Sequence, residues 1–179
     1  ALAALADAIR ADVVGNDDLS SAIQDFGFDF EFYGQTYSQF YINNNGNITF
    51  EGPLGRFLPA GFPDGTPILA PFWADVDTRT GAGNVRLTKG TTGQGSPFVQ
   101  VDWVDVGYFD QTKSTNTDAR NAFSLYIEDS PLGDIVVFDY QSMEWTTVDG
   151  TGTAGFGGQG AQIGFNAGDG TYLSLMRPK

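Results

Sequence analysis

The chain contains no cysteine and no histidine. The first absence removes disulfides, thiolate nucleophiles, thiolate zinc sites and iron–sulfur ligation. The second removes Ser-His-Asp catalysis, imidazole acid–base work and most transition-metal sites. Positive charge is scarce: 9 Lys and Arg stand against 22 Asp and Glu, a formal net charge of −13. Such a balance repels phosphate backbones and argues against nucleic acid as a partner. No run of 18 apolar residues occurs, so no membrane insertion by a helix is expected. Carboxylate, amide, hydroxyl and aromatic chemistry remain.

What is present points to one β-rich domain. The 179 residues suit a single domain with its own core, and the 41% hydrophobic and 14% aromatic fractions argue against disorder. The acids are 18 Asp but only 4 Glu, alongside 24 Gly and 16 Thr. Asp favours turns and caps because its short carboxylate bonds nearby backbone N–H groups, whereas Glu favours helices. Asp-rich loops have two readings: solvated turns, or ligands for calcium, a hard cation that takes six to eight oxygens.

The N-terminal stretch ALAALADAIRADVV lacks a basic region followed by an apolar one, so it does not read as an intact signal peptide. Leu2, Leu5 and Ile9 fall at helical spacing, which predicts a short amphipathic helix through about Asp12. Residues 1–14 form an N-terminal segment, either a helix covering one end of a sheet or an assembly arm that docks on a neighbour; residues 15–179 form the β domain. From Val13 onward short alternating runs take over. Phe26, Phe28, Phe30 and Phe32 recur with a period of two, which predicts one face of a strand. Asn43-Asn44-Asn45-Gly46 separates strand-like Gln35–Ile42 from Asn47–Phe50 and predicts a hairpin turn at Asn44, Asn45 and Gly46. Further strands are expected near Ile68–Phe72, Gly83–Leu87, Phe98–Val106, Ala122–Glu128, Asp134–Tyr140, Ala161–Phe165 and Leu173–Leu175. The expected fold is all-β, an antiparallel β-sandwich or barrel-like sheet. Glu51–Pro67 and Asp149–Gly160 read as long Gly/Pro- or Gly/Thr-rich loops.

Two constellations carry candidate chemistry. Asp75-Val76-Asp77 on a strand would place both carboxylates on one side, where they could chelate one calcium ion; the alternative is that one caps a turn and the other pairs with Arg79 or Arg86. No EF-hand loop surrounds them. Trp103, within an alternating Asp/Val run, and Glu144-Trp145 are candidates for sugar contact, because an indole face stacks on apolar sugar C–H groups. The competing reading puts the tryptophans in the core. A carboxylate glycoside hydrolase needs two acids about 5–10 Å apart, and in a chain this rich in Asp such pairs arise by chance.

Ordered motifs add a resemblance. Phe28-x-Phe30-x-Phe32-Tyr33-Gly34-x-x-Tyr37, Tyr41-Ile42-Asn43-Asn44-Asn45-Gly46-Asn47-Ile48-Thr49-Phe50 and Pro67-Ile68-Leu69-Ala70-Pro71-Phe72-Trp73-Ala74-Asp75-Val76-Asp77 resemble the opening of nidogen-like (NIDO) extracellular domains. Trp103-x-x-Val106-x-Tyr108, Asn121-x-Phe123, Tyr140-x-x-Met143-Glu144-Trp145 and Gly164-Phe165-Asn166-x-Gly168 continue the match. The resemblance implies a non-catalytic, secreted or cell-surface module of adhesive proteins, with an extracellular protein or glycan partner. A subunit of a self-assembling filament or matrix, and a carbohydrate-binding module or carboxylate glycoside hydrolase, are the alternatives. The absence of cysteine, set against the disulfide-rich animal members, leads to the expectation of a bacterial or archaeal member.

Overall fold

The computed structural model describes residues 9–13, 15–112, 114–147, 155–156 and 158–176. Among these are twelve strands and no helix: β1 Ile9–Val13, β2 Gln24–Phe32, β3 Gln35–Asn43, β4 Asn47–Thr49, β5 Ile68–Trp73, β6 Val76–Asp77, β7 Asn84–Thr91, β8 Pro97–Asp110, β9 Ser114–Glu128, β10 Ile135–Met143, β11 Gln162–Asn166 and β12 Tyr172–Met176. They form two antiparallel sheets. The first runs β1-β7-β8-β9-β10, with β6 also paired to β8; the second runs β12-β11-β5-β4-β3-β2. Each sheet keeps open ends, so the molecule is a β-sandwich and not a closed barrel.

The alternating sequence explains the layers. Phe26, Phe30 and Phe32 of β2 are buried in the main core, and Phe28 packs against it from a partly exposed position. The pairing register of β2 with β3 shifts between Asp25 and Phe30, where Gly27 takes φ +84°, so the strand carries a bulge. Tyr33 (φ +50°) and Gly34 (φ +77°) close that hairpin as a two-residue turn with both φ values positive. From the first sheet, Val85, Leu87, Val99, Val101, Trp103, Phe123, Leu125 and Ile127 point into the same core. Trp103 stacks on Phe123 at 5.1 Å between centroids, and Phe123 in turn meets Phe72 of the second sheet at 5.4 Å. Burying each such aromatic stabilises the fold by about 1.5–3 kcal/mol.

Residues 9–12, expected as the end of a helix, belong to a strand: Ile9 to Val13 pair antiparallel with Lys89 to Val85 of β7. The edge of the first sheet offers unpaired N–H and C=O groups, and satisfying them outweighs a short helical pattern. The rest of the expected helix, residues 1–8, lies outside the described residues. Of the expected loop Asp149–Gly160, only 155–156 and 158–160 are described.

The element that most shapes the site is a corner. The chain runs along β5 in the second sheet, bends at Ala74, and reappears as β6 in the first sheet, where Val76 and Asp77 pair with Tyr108 and Gly107. Opposite this corner sits the tip of the β3–β4 hairpin. Phe72 N–H donates to Gly46 O and Ala74 N–H to Asn45 O, each at 3.2 Å. Gly46 takes φ +79°, and a Cβ there would lie 1.8 Å from Phe72 O, whereas Gly34 at φ +77° has open space around it. Gly34→Ala should therefore cost only the left-handed backbone penalty, about 1–2 kcal/mol. Gly46→Ala should cost at least about 4 kcal/mol, because backbone must separate from backbone as well. Urea denaturation of the two variants measures the difference; similar midpoints would show that the hairpin tip yields more easily than this geometry states.

Candidate functional site

Three polar segments meet at the corner: the turn at residues 16–19, the hairpin tip at 43–47, and residues 74–79. Asn16 Oδ1 accepts from Leu19 N–H at 2.9 Å, an Asx-type bond that presents Asp17 and Asp18 side by side. Thr78 N–H donates to Asn16 O, and the Thr78 hydroxyl accepts from Asn16 N–H, both at 2.9 Å. Asn44, only 1% exposed, joins the three segments. Its Nδ2 lies 3.0 Å from Asn16 O, 2.8 Å from Asp17 O and 2.6 Å from Val76 O. Its Oδ1 accepts from the Thr78 hydroxyl at 2.9 Å, and its main-chain O accepts from the Trp103 indole N–H at 3.1 Å.

Asp75 and Asp77, two residues apart just after the bend at Ala74, have different surroundings. Asp77, fully buried, takes the Arg79 guanidinium on both oxygens (2.9 and 2.7 Å), Arg79 N–H (2.9 Å) and the Thr115 hydroxyl (2.6 Å). Asp75, 4% exposed, instead joins Asp17 and Asp18, and one carboxylate oxygen from each of these three lies within 4.8 Å of the others. They line a cleft of about 300 Å³ with Phe57, Leu58, Phe109 and Gln111. Asn45 Nδ2 donates to Asp18 Oδ1 at 2.9 Å.

The electrostatics of this cluster are strained. Burial, reinforced by the negative charges of Asp77 and Asp18, pushes the Asp17 carboxyl up to about 6, although the Arg79 guanidinium 2.8 Å from Asp17 Oδ2 pulls the other way. Arg79 is itself held more firmly protonated, above all by its hydrogen bond to Asp77. Asp17 and Asp18 were not singled out in the sequence. The adjacent Asn16-Asp17-Asp18 run after Gly15 is a turn signal, but nothing local links it to Asp75, about 57 residues downstream.

The aromatic candidates lie elsewhere. Trp103 and Trp145 are fully buried, and Trp145 donates its indole N–H to Val106 O at 3.1 Å. Phe123 covers Trp103, while Phe72 and Tyr108 pack on Trp145, so neither indole presents a face to a sugar. Trp73 is likewise fully buried, with Arg56 over its ring at 4.9 Å. Glu144 is exposed, and its Oε2 accepts from Arg120 N–H at 2.8 Å, closing β9 against the end of β10. A second concavity, a groove of about 500 Å³, lies between the sheets and is lined by Phe32, Leu69, Val136, Phe138, Tyr140 and Leu175 among others.

Comparison with known proteins places these features in a family. The model for the family described as NIDO related matches residues 2–179. Alpha-tectorin of Mus musculus is 31% identical over 184 residues, covering 89% of this chain and 8% of that protein. Dendrite extension defective protein 1 of Caenorhabditis elegans is 29% identical over 179 residues, covering 88% of this chain and 15% of that protein. Nidogen of Drosophila melanogaster is 29% identical over 168 residues, covering 80% of this chain and 12% of that protein. The chain thus spans 8–15% of the length of these relatives. All three are animal proteins, so they lend no support to the prokaryotic origin expected from the missing cysteines. No solved structure matches the chain.

The Asn44 arrangement generates a prediction. Asn44→Ala leaves the buried Asn16 and Val76 carbonyls and the partly buried Asp17 carbonyl without their amide donor and should cost about 3 kcal/mol. Asn44→Asp turns an acceptor toward the same carbonyls and should cost more, despite its matching shape. Chemical denaturation of both variants checks the order; Asn44→Asp at or above the stability of Asn44→Ala would contradict it.

Proposed function

The chain belongs to the NIDO-related family, and we propose that it is a non-catalytic module of a secreted or cell-surface protein, working in adhesion between cells and extracellular matrix. The observation that carries this reading is the match of the family along residues 2–179, joined to relatives that include alpha-tectorin and nidogen. The fold is consistent with it. A rigid sandwich with a packed aromatic core suits a passive building block of a longer protein. The −13 charge keeps such a surface soluble and repels anionic membranes. Among the described residues no helix is long and apolar enough to cross a membrane. The partner in this reading is an extracellular protein or glycan, met at the outer surface and not through the three buried tryptophans.

Two measurements test it. The full-length protein on intact cells should react with a membrane-impermeant biotinylation reagent, and surfaces coated with the domain should retain cells or matrix preparations above an albumin-coated control. A full-length protein shielded from the reagent overturns the location, and retention equal to the control overturns the adhesive role.

One observation favours a second reading, self-association into a filament or matrix. Strand β10 is apolar yet exposed along Ile135, Val136, Val137 and Tyr140, and Leu175 of β12 beside the groove is 65% exposed. Exposed apolar edges are templates for pairing with another copy. Sedimentation at rising concentration should then show association that Val136→Glu and Leu175→Glu reduce at least tenfold. A monomer at every concentration would remove this reading.

A further inference from the structure

We propose that Asp17, Asp18 and Asp75, together with the side-chain amide of Asn45, form a divalent-cation site that takes calcium. The site stands on the corner cleft alone and does not depend on the adhesive reading.

The clustering of three carboxylates is only the first observation. The second is where the fold leaves its hydrogen bonding incomplete. Among the described residues, three buried side-chain atoms have no hydrogen-bond partner: Asp17 Oδ1, Asn45 Oδ1 and Gln162 Oε1. The first belongs to a residue that lines this cleft, and the second to a side chain that borders it through its contact with Asp18. Buried polar atoms in native proteins are almost always satisfied, and an exception calls for an explanation such as a bound ion. Asn45 is 1% exposed, and its amide abuts the cluster through Nδ2, 2.9 Å from Asp18 Oδ1. Asn side-chain O and N are nearly equivalent in shape. With no cation the amide offers its nitrogen to the carboxylate; turned end for end, the same amide offers Oδ1 to a cation held there. The Asp17 carboxylate is already divided in function. Oδ2 binds Arg79 at 2.8 Å, while Oδ1 is the buried atom without a partner. A cation on Oδ1 satisfies it and offsets the burial and like charge that raise this carboxyl to about 6.

The donor chemistry selects the ion. The candidate ligands are all oxygens, three carboxylates and one amide, and the chain has no His or Cys to favour zinc or copper. Calcium accepts irregular oxygen sets completed by water, whereas magnesium demands a near-ideal octahedron and dehydrates reluctantly. Charge favours entry as well: among the described residues, Asp17, Asp18, Asp75 and Asp77 outweigh Arg79 at the corner. Phe57, Leu58 and Phe109 flank the cleft and strengthen the attraction by lowering the local dielectric. A calcium ion here would tie the 16–19 turn and the hairpin tip to the point where the chain crosses between sheets.

The test titrates calcium chloride into the EGTA-treated domain at constant ionic strength. It follows binding by calorimetry and stability by the thermal midpoint, with magnesium chloride in parallel. Calcium should bind at one site with a Kd of about 0.1–1 mM, the range of extracellular modules, and should raise the midpoint. Asp18→Asn, at a partly exposed position, and Asp75→Asn should each weaken binding at least tenfold. Asn45→Asp adds a carboxylate, so it should lower the midpoint in EGTA yet tighten calcium binding; a purely structural asparagine would give no tightening. Asp29→Asn, on the exposed face of β2, should leave the calcium response unchanged. The proposal is overturned by the absence of calcium binding up to about 10 mM. It is equally overturned if Asp18→Asn and Asn45→Asp keep the wild-type calcium response, since calcium would then only screen the net charge.

Discussion

The buried amide of Asn44 is the constraint on which the two-sheet arrangement rests. Leaving such an amide unbonded in the interior costs several kcal/mol, so it is tolerable only with every partner in place. Here the partners come from parts of the chain distant in sequence: the Asn16 and Asp17 carbonyls, Val76 O and the Thr78 hydroxyl. Trp103, from the middle of the first sheet, reaches the Asn44 carbonyl through its indole N–H. An apolar core alone would hold two greasy sheets at many relative offsets. A fully bonded polar group inside it admits one. Hydrophobic burial therefore supplies the bulk of the stability, and Asn44 fixes where the hairpin tip, the 16–19 turn and the β5–β6 crossing must meet.

That meeting point explains why the corner is both tight and acidic. The hairpin tip lies so close to β5 that main-chain bonds link Gly46 O to Phe72 N–H and Asn45 O to Ala74 N–H. Close approach leaves no room for a side chain at Gly46, and it forces the chain to turn immediately afterwards. The Asp residues that follow are turn formers by chemistry, since their carboxylates bond local N–H groups; Asp77 Oδ1 does so with Arg79 N–H. The same short side chains, once drawn under the hairpin, become buried charges that need partners. Arg79 meets that need for Asp77 with a two-pronged guanidinium–carboxylate contact and extends to Asp17.

The layers were largely legible in the sequence, because they follow from period-two patterning that tertiary packing reinforces. Phe26, Phe30 and Phe32, the Asn43–Asn47 hairpin and the alternation through Trp103 each carry their burial in their spacing. Residues 9–12 were misread because a short strand and one helical turn leave nearly the same apolar trace, and the deciding partner, β7, lies more than seventy residues away. The grouping of Asp75 with Asp17 and Asp18 was out of reach for a related reason: these residues meet where the chain changes sheets beside the hairpin tip, at the Gly46 and Asn45 contacts to Phe72 and Ala74, which no local window contains. The Asn44 and Asn45 side chains were equally hidden. Asn in a turn is explained well enough by its tolerance of left-handed backbone, so composition gives no reason to expect buried, structural amides there.

The missing cysteines bear differently on origin and on stability. A disulfide stabilises a domain chiefly where its own core is too small. Here the second sheet contributes Phe26, Phe30, Phe32 and Phe40 to an aromatic cluster that Phe50, just past β4, continues, and the first sheet meets it through Trp103 and Phe123, with Trp145 following β10. A core of that size makes covalent cross-links dispensable, so their absence describes the packing and says nothing about lineage. The relatives in mouse, worm and fly fit that conclusion. The residual weakness of a cysteine-free sandwich lies at its charged corner, where like charges are brought together by the hairpin's close approach. Stability at that point must come from cations, and Arg79, the basic residue placed there among the described residues, is already committed to Asp77 and Asp17.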